Sequence, residues 1–178
     1  MIRLIEGARN SGKSYLLEWA NVVPYKFPFP HWYGKLKLNN NDRETHSFAL
    51  SKEILLHELN RNGHIQDLFV DRGILTVLTW GVLENRISMD EAVKQLWLFA
   101  EQDLFTDVEV IYIYGDNPRE RGSKDLWDDS DRAKEKDIYE TLLIELHEAD
   151  PSCKITRFEN RFSLMSAVDF RNEIVKGS

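Results

Sequence analysis

Cysteine is nearly absent: Cys153 is the single one in 178 residues. That excludes a disulfide framework and a cysteine metal cluster, and it predicts a half-buried packing residue at Cys153. The 5 prolines and 9 glycines form no sustained run, so no linker is marked, and no internal repeat is visible. No apolar stretch is long enough to span a bilayer, which predicts no membrane partner. Positive charge is in the minority, with 23 Lys and Arg against 30 Asp and Glu and a net charge of -7. This balance argues against a broad footprint for duplex DNA or a lipid surface, although a local basic groove is compatible with it. His31, His46, His57, His64 and His147 are scattered, and no pair has ligand spacing followed by an acidic partner. A metal hydrolase is therefore disfavoured, and His57 and His64 read as exposed helix-end residues. The first residues run straight into a strand pattern, so no signal peptide is expected, and a reducing cytoplasm fits the composition.

What is present is an alternation of short apolar runs and helical patterns over a length that suits one domain. Strands are expected at Ile2–Glu6, weakly at Val22–Phe27, at Leu68–Val70, at Val108–Tyr114 and at Lys154–Phe158. Helices are expected from the residues after Ser14 to about Asn21, and over Thr45–Asn60, Ile74–Glu84, Met89–Leu104, Asp131–His147 and Ser163–Val175. Ser88 with Glu91 three residues on reads as a capping box. Strands alternating with helices predict an α/β fold, a three-layer α/β/α arrangement of P-loop NTPase type with a mainly parallel five-stranded sheet. Ligands of such sheets bind at the carboxyl ends of the strands. One rim is then expected to hold the loop after the first strand, Phe27–Tyr33, Asp71-Arg72-Gly73 and Gly115–Lys124.

Gly7-Ala8-Arg9-Asn10-Ser11-Gly12-Lys13-Ser14 matches the P-loop pattern, Gly, four residues, Gly-Lys, then Ser or Thr. It follows a strand and opens a helix, as phosphate binding requires. Gly7 and Gly12 permit the tight turn and close backbone approach. Lys13 is placed to reach the β- and γ-phosphates, and the Ser14 hydroxyl to ligate Mg²⁺. Gly7, Asn10, Ser11, Gly12, Lys13, Ser14 and Tyr15 form the expected ATP-binding set. No Asn-Lys-X-Asp guanine motif is present, which favours ATP as the cofactor.

Asp71 ends an apolar strand, where a P-loop protein can hold the Mg²⁺ hydration shell or help an acceptor hydroxyl. Arg72 beside it is a candidate for an acceptor phosphate or for developing charge. The plainer alternative is an Asp71 that caps the helix beginning at Ile74, with Arg72 a surface charge. A third segment, Pro118–Asp125, carries Arg119 and Arg121 on a basic loop suited to closing over ATP. Its acidic neighbours leave a solvated charged loop as the alternative. Phe27, Phe29, His31, Trp32 and Tyr33 offer an aromatic wall for a base, or simply packing. Trp80, Trp97 and Trp127 are either buried or mark a surface where copies meet.

Taken together, these features resemble the thymidylate kinase and nucleoside or nucleotide monophosphate kinase family. Leu4-Ile5-Glu6-Gly7 leads into the loop as the family's Glu-Gly does. Phe27-Pro28-Phe29-Pro30 falls where the family has a Phe-Pro segment, and Asp71-Arg72-Gly73 where it has Asp-Arg-Tyr. Arg119–Lys124 falls at its arginine-bearing lid, here about residues 118–130. The resemblance implies phosphoryl transfer from ATP with Mg²⁺ to a small nucleoside or (deoxy)nucleoside monophosphate. It implies Lys13, Asp71, Arg72 and Arg121 as catalytic residues, with Ser14 and Asp71 at the metal. Arg119 joins the ATP contacts, Arg161 borders the adenine, and Phe27, Phe29, Tyr33 and Arg72 contact the acceptor. The chain has His31 where the family often has an arginine, and Gly73 where it has an aromatic. Both differences point to an acceptor other than thymidylate. They leave open a hydroxyl on DNA, RNA or a modified base, with Gly73 read as an opening in the rim. A non-catalytic ATP-binding module is the remaining alternative. The long helices between Ile74 and Leu104 offer a face for a homodimer.

Overall fold

The alternation of short apolar strands and helices is realised in the computed structural model, which describes residues 1–26, 43–115 and 129–176. Its strands are β1 (Ile2–Glu6), β2 (Tyr25–Lys26), β3 (Leu68–Asp71), β4 (Val108–Tyr114) and β5 (Lys154–Glu159). Its helices are α1 (Lys13–Trp19), α2 (Arg43–Arg61), α3 (Ile74–Leu83), α4 (Met89–Glu101), α5 (Asp129–Ala149) and α6 (Leu164–Phe170). The strands form one five-stranded sheet in the order β2-β3-β1-β4-β5. Every pairing is parallel. The fold is α/β, a three-layer α/β/α arrangement of P-loop type.

β1 is buried at every position, as a central strand covered on both faces must be. Its side chains alternate between two cores. Ile2 and Leu4 join Val70, Val110, Leu75, Leu78, Leu96, Tyr139 and Leu142 on the face covered by α3, α4 and α5. Ile5 joins Ile111, Ile113, Leu16, Leu17, Phe158 and Phe170 on the face covered by α1 and α6. Truncating a fully buried leucine such as Leu4 in such a core costs about 2–5 kcal/mol. Arg3 is tolerated inside because its guanidinium meets Glu109 at 3.5 Å and lies 5.1 Å from the centre of the Phe69 ring.

Several boundaries moved. Of the expected second strand, Val22 to Pro24 are not strand and Tyr25–Lys26 are, both exposed where β2 pairs with β3 at the sheet edge; Phe27 lies outside the described residues. α4 stops at Glu101, and the turn that follows is closed by Leu104 N–H donating to Phe99 O at 3.0 Å. The last helix changes to π geometry over Arg171–Val175. The capping box at Ser88 is present, with both reciprocal bonds to Glu91. Among the described residues no helix is long and apolar enough to cross a membrane.

The register fixes the functional edge. Ile5 lies beside Asp71, Glu6 beside Tyr112, and Tyr114 beside Glu159. The carboxyl ends of β1, β3, β4 and β5 therefore open on one rim.

Candidate nucleotide site

The chain leaves β1 at Gly7 with φ 139°, and a Cβ there would lie 2.1 Å from the Ile113 carbonyl oxygen of β4. Gly12 has φ 81°, and its Cβ would lie 2.2 Å from Asn160 Nδ2. Glycine is required at both ends of the loop, for backbone conformation and for space. Asn10, at φ 60°, adopts the left-handed conformation that asparagine tolerates best among the other residues.

Asn160 props this loop from the end of β5. Its Nδ2 donates to Ser11 O at 2.9 Å, and its Oδ1 accepts the Phe162 N–H at 2.9 Å. Its own N–H donates to Tyr114 O at 2.8 Å. Sequence reasoning selected Arg161 in this turn and passed over Asn160. The available signal was an asparagine directly after a strand, a residue type that bonds neighbouring backbone. Arg161 is exposed and paired with Glu159 at 2.7 Å, close to the loop because Phe162 packs against Gly12.

Lys13 is 6 % exposed, and its ammonium turns back on its own loop. Nζ donates to Gly7 O at 2.6 Å and to Ala8 O at 2.8 Å, with Ser11 Oγ at 3.3 Å. Burial pushes its pKa down to about 8, and the positive charge of Arg72 acts in the same direction. Asp71, Glu135 and Glu6 pull it back up. Charges from β1, β3 and α5 thus converge on one ammonium. Ser14 and Tyr15, next in α1, are exposed on the rim.

Asp71 closes β3 with its carboxylate 3.7 Å from Lys26 Nζ. It does not cap α3. Glu6 does: Oε1 accepts the N–H of Gly73 at 2.9 Å and of Leu75 at 3.1 Å, while Oε2 accepts the Thr76 hydroxyl. Tyr139 OH donates in turn to Thr76 Oγ1 at 2.7 Å. Burial pushes the Glu6 carboxyl above its ordinary range, opposed by these hydrogen bonds. Glu6 thereby ties the P-loop strand to the Asp71-Arg72-Gly73 turn.

Gly73 is not an opening in the rim. It is buried, and a Cβ would lie 2.9 Å from Leu4 Cδ2 and 3.1 Å from Glu6 Oε1. Arg72 adopts φ 75°, its N–H donates to Ile5 O at 3.0 Å, and its guanidinium lies 5.4 Å from the Trp80 ring centre. Arg9 lies 4.2 Å from the same ring centre, and its N–H donates to Glu135 Oε2 at 3.2 Å. Trp80 and Glu135 join the site only through the fold.

Phe27, Phe29, Tyr33, Arg119, Arg121 and Trp127 lie outside the described residues, as does nearly all of the expected lid. Among the described residues no cluster of three or more His, Cys, Asp or Glu is placed to hold a metal. Ser14 is exposed and Asp71 half-buried, both at the carboxyl edge of the sheet. His57 departs from expectation: it is fully buried within α2, with Nδ1–H donating to Leu104 O at 2.6 Å. Cys153 is buried, and burial pushes its thiol up to about 12. Trp97 is partly exposed on α4 and donates to Glu145 at 2.8 Å.

No protein-family model matches this chain, and no curated protein is significantly similar to it.

Proposed function

We propose that this chain is an ATP-dependent phosphotransferase, thymidylate-kinase-like, acting on a nucleoside or (deoxy)nucleoside monophosphate. The observation that carries the reading is the placement of Lys13. Its ammonium sits inside a loop closed by Gly7 and Gly12, within electrostatic reach of Asp71 and Arg72 on the next strand.

The chemistry follows from what these groups can exchange. Lys13 trades the Gly7 and Ala8 carbonyls for phosphate oxygens, which are stronger acceptors because they are charged. Ser14 and Asp71 would hold Mg²⁺, which when bound offsets charge on the β- and γ-phosphates. Arg72 supplies a planar cation where negative charge builds during transfer. Glu6 keeps Arg72 and Asp71 at a fixed offset from Lys13, because its carboxylate holds the turn that carries them. In phosphoryl transfer such positioning and electrostatics supply most of the acceleration.

Coupled ADP release over a panel of nucleosides and nucleoside monophosphates tests the proposal. Acceptor-dependent turnover that Lys13→Ala removes is the expected result. Absence of turnover with every acceptor sinks it. Transfer of label from ATP to DNA or RNA alone would move the acceptor to a polymer, a reading that the buried Gly73 and the net charge of -7 do not favour.

A further inference from the structure

Trp80 is a half-buried indole on α3, outside both the P-loop and the Asp71-Arg72-Gly73 turn. Two arginines from different elements converge on it. The Arg9 guanidinium carbon is 4.2 Å from the ring centre, and that of Arg72 is 5.4 Å away. Both lie within the roughly 6 Å range in which an aromatic ring attracts a cation. Two like charges near one another repel, so an isolated pair would drift apart. The ring's negative faces offset that repulsion.

Each arginine is also anchored at its backbone. Arg9 N–H is held by the Glu135 carboxylate, and Arg72 N–H by the Ile5 carbonyl. Arg72 holds a left-handed φ of 75°, a conformation costing an ordinary residue roughly 1–2 kcal/mol. Strain of this kind persists where the surrounding structure over-determines it, often at functional sites. Fixed at both ends, these side chains lose little further freedom when they grip a ligand.

We propose that Trp80 is a positioning residue that holds Arg9 and Arg72 as a paired guanidinium grip on phosphoryl oxygens at the P-loop rim. The inference rests on the phosphotransferase reading and extends it to a residue that the P-loop motif does not contain. The ligand class is a multiply charged phosphoryl group, because two planar cations can each offer parallel N–H donors to such oxygens. Around the pair stand Lys13 from the loop, Glu6 from β1, Asp71 from β3 and Glu135 from α5. Glu6 is occupied by the α3 amides, Asp71 lies near Lys26, and Glu135 accepts the Arg9 N–H.

The test uses the full chain with MgATP as probe and compares wild type, Trp80→Leu and Trp80→Phe. Calorimetry should show Trp80→Leu losing about tenfold in MgATP affinity, with Trp80→Phe, which keeps an aromatic face, within about threefold of wild type. A second readout separates positioning from packing. Arg9 and Arg72 lie over the indole, so their side-chain Nε–H resonances should be shifted by its ring current in wild type and lose that shift in Trp80→Leu, followed by NMR on labelled arginine. If Trp80→Leu does not fold, tryptophan emission takes its place. MgATP should then change the emission of wild type, and Trp80→Phe should lose the part of that change due to Trp80 while still binding. Wild type that binds no MgATP overturns the phosphotransferase reading and this inference together. Wild type that binds, with Trp80→Leu equal in affinity and unchanged in its arginine resonances, overturns this inference alone. An emission change of the same size in Trp80→Phe as in wild type, with the other four tryptophans common to both, overturns it as well.

Discussion

At Lys13 folding has a direct electrostatic consequence. Its pKa falls from 10.5 to about 8 on folding because burial strips water from the ammonium. Below pH 8 the group is charged in both states, and the folded chain bears the full cost of burying it, about 3 kcal/mol. Between pH 8 and 10.5 the unfolded chain still binds a proton that the folded chain has released, so stability rises with pH. Urea unfolding should show this rise in wild type and not in Lys13→Met. The buried pair on α2 behaves differently. Burial holds the Glu53 carboxyl well above its ordinary 4.5, with Glu6 adding repulsion. His57, with Nε2 at 3.9 Å from Glu53 Oε2, is pushed down to about 4 and stays neutral. Above its ordinary pKa Glu53 ionises in the unfolded chain but not in the folded one, so stability falls as pH rises. Glu53→Gln should therefore gain on wild type as pH rises above the ordinary 4.5 of a glutamate, in the same unfolding assay.

Between elements, contacts that no single segment contains determine the loop's shape. The end of β5 supports the P-loop through Asn160, and the end of β1 supports the start of α3 through Glu6. Asn160→Ala strands the Ser11 carbonyl and the Phe162 N–H in a buried setting, at a cost of roughly 1–3 kcal/mol for each group left unpaired. Chemical denaturation should report the loss, and MgATP affinity should fall with it because the loop loses its support. Most element identities were legible in the sequence: the apolar runs of β1 and β4, the helical stripe of α4 and the Ser88–Glu91 cap are local patterns. The start of β2 was not, since Val22–Val23 reads as strand by composition while the pairing begins at Tyr25. His57 was misjudged for a related reason. A histidine on a polar-looking helix gives no local sign that the Leu104 carbonyl will meet it.

At the scale of the whole molecule, ligand binding and stability are one equilibrium. A ligand that binds only the folded chain stabilises it by about 2.7 kcal/mol at a hundredfold excess over its dissociation constant. For a chain of this size that is a rise of roughly 5–10 °C in melting temperature. MgATP should produce such a rise in wild type and none in Lys13→Ala. GTP should produce less, given that no guanine motif is present. In a chain of net charge -7, Arg9, Lys13 and Arg72 gather at the rim together with Glu6, Asp71 and Glu135, so the cations there are held among balancing carboxyl groups.

By itself the sequence determined the layered α/β class, the P-loop and the identity of its two glycines, because these are written in local pattern and in φ requirements that only glycine meets. The tertiary structure alone decided that Glu6 rather than Asp71 caps α3, that Asn160 props the loop, and that Trp80 gathers Arg9 with Arg72. It also closed Gly73 against Leu4 and Glu6. Each of these depends on which strands lie side by side. The order β2-β3-β1-β4-β5 places β3 and β4 on either side of β1, so residues distant in the chain become neighbours of one loop. Parallel pairing then turns all their carboxyl ends to the same edge.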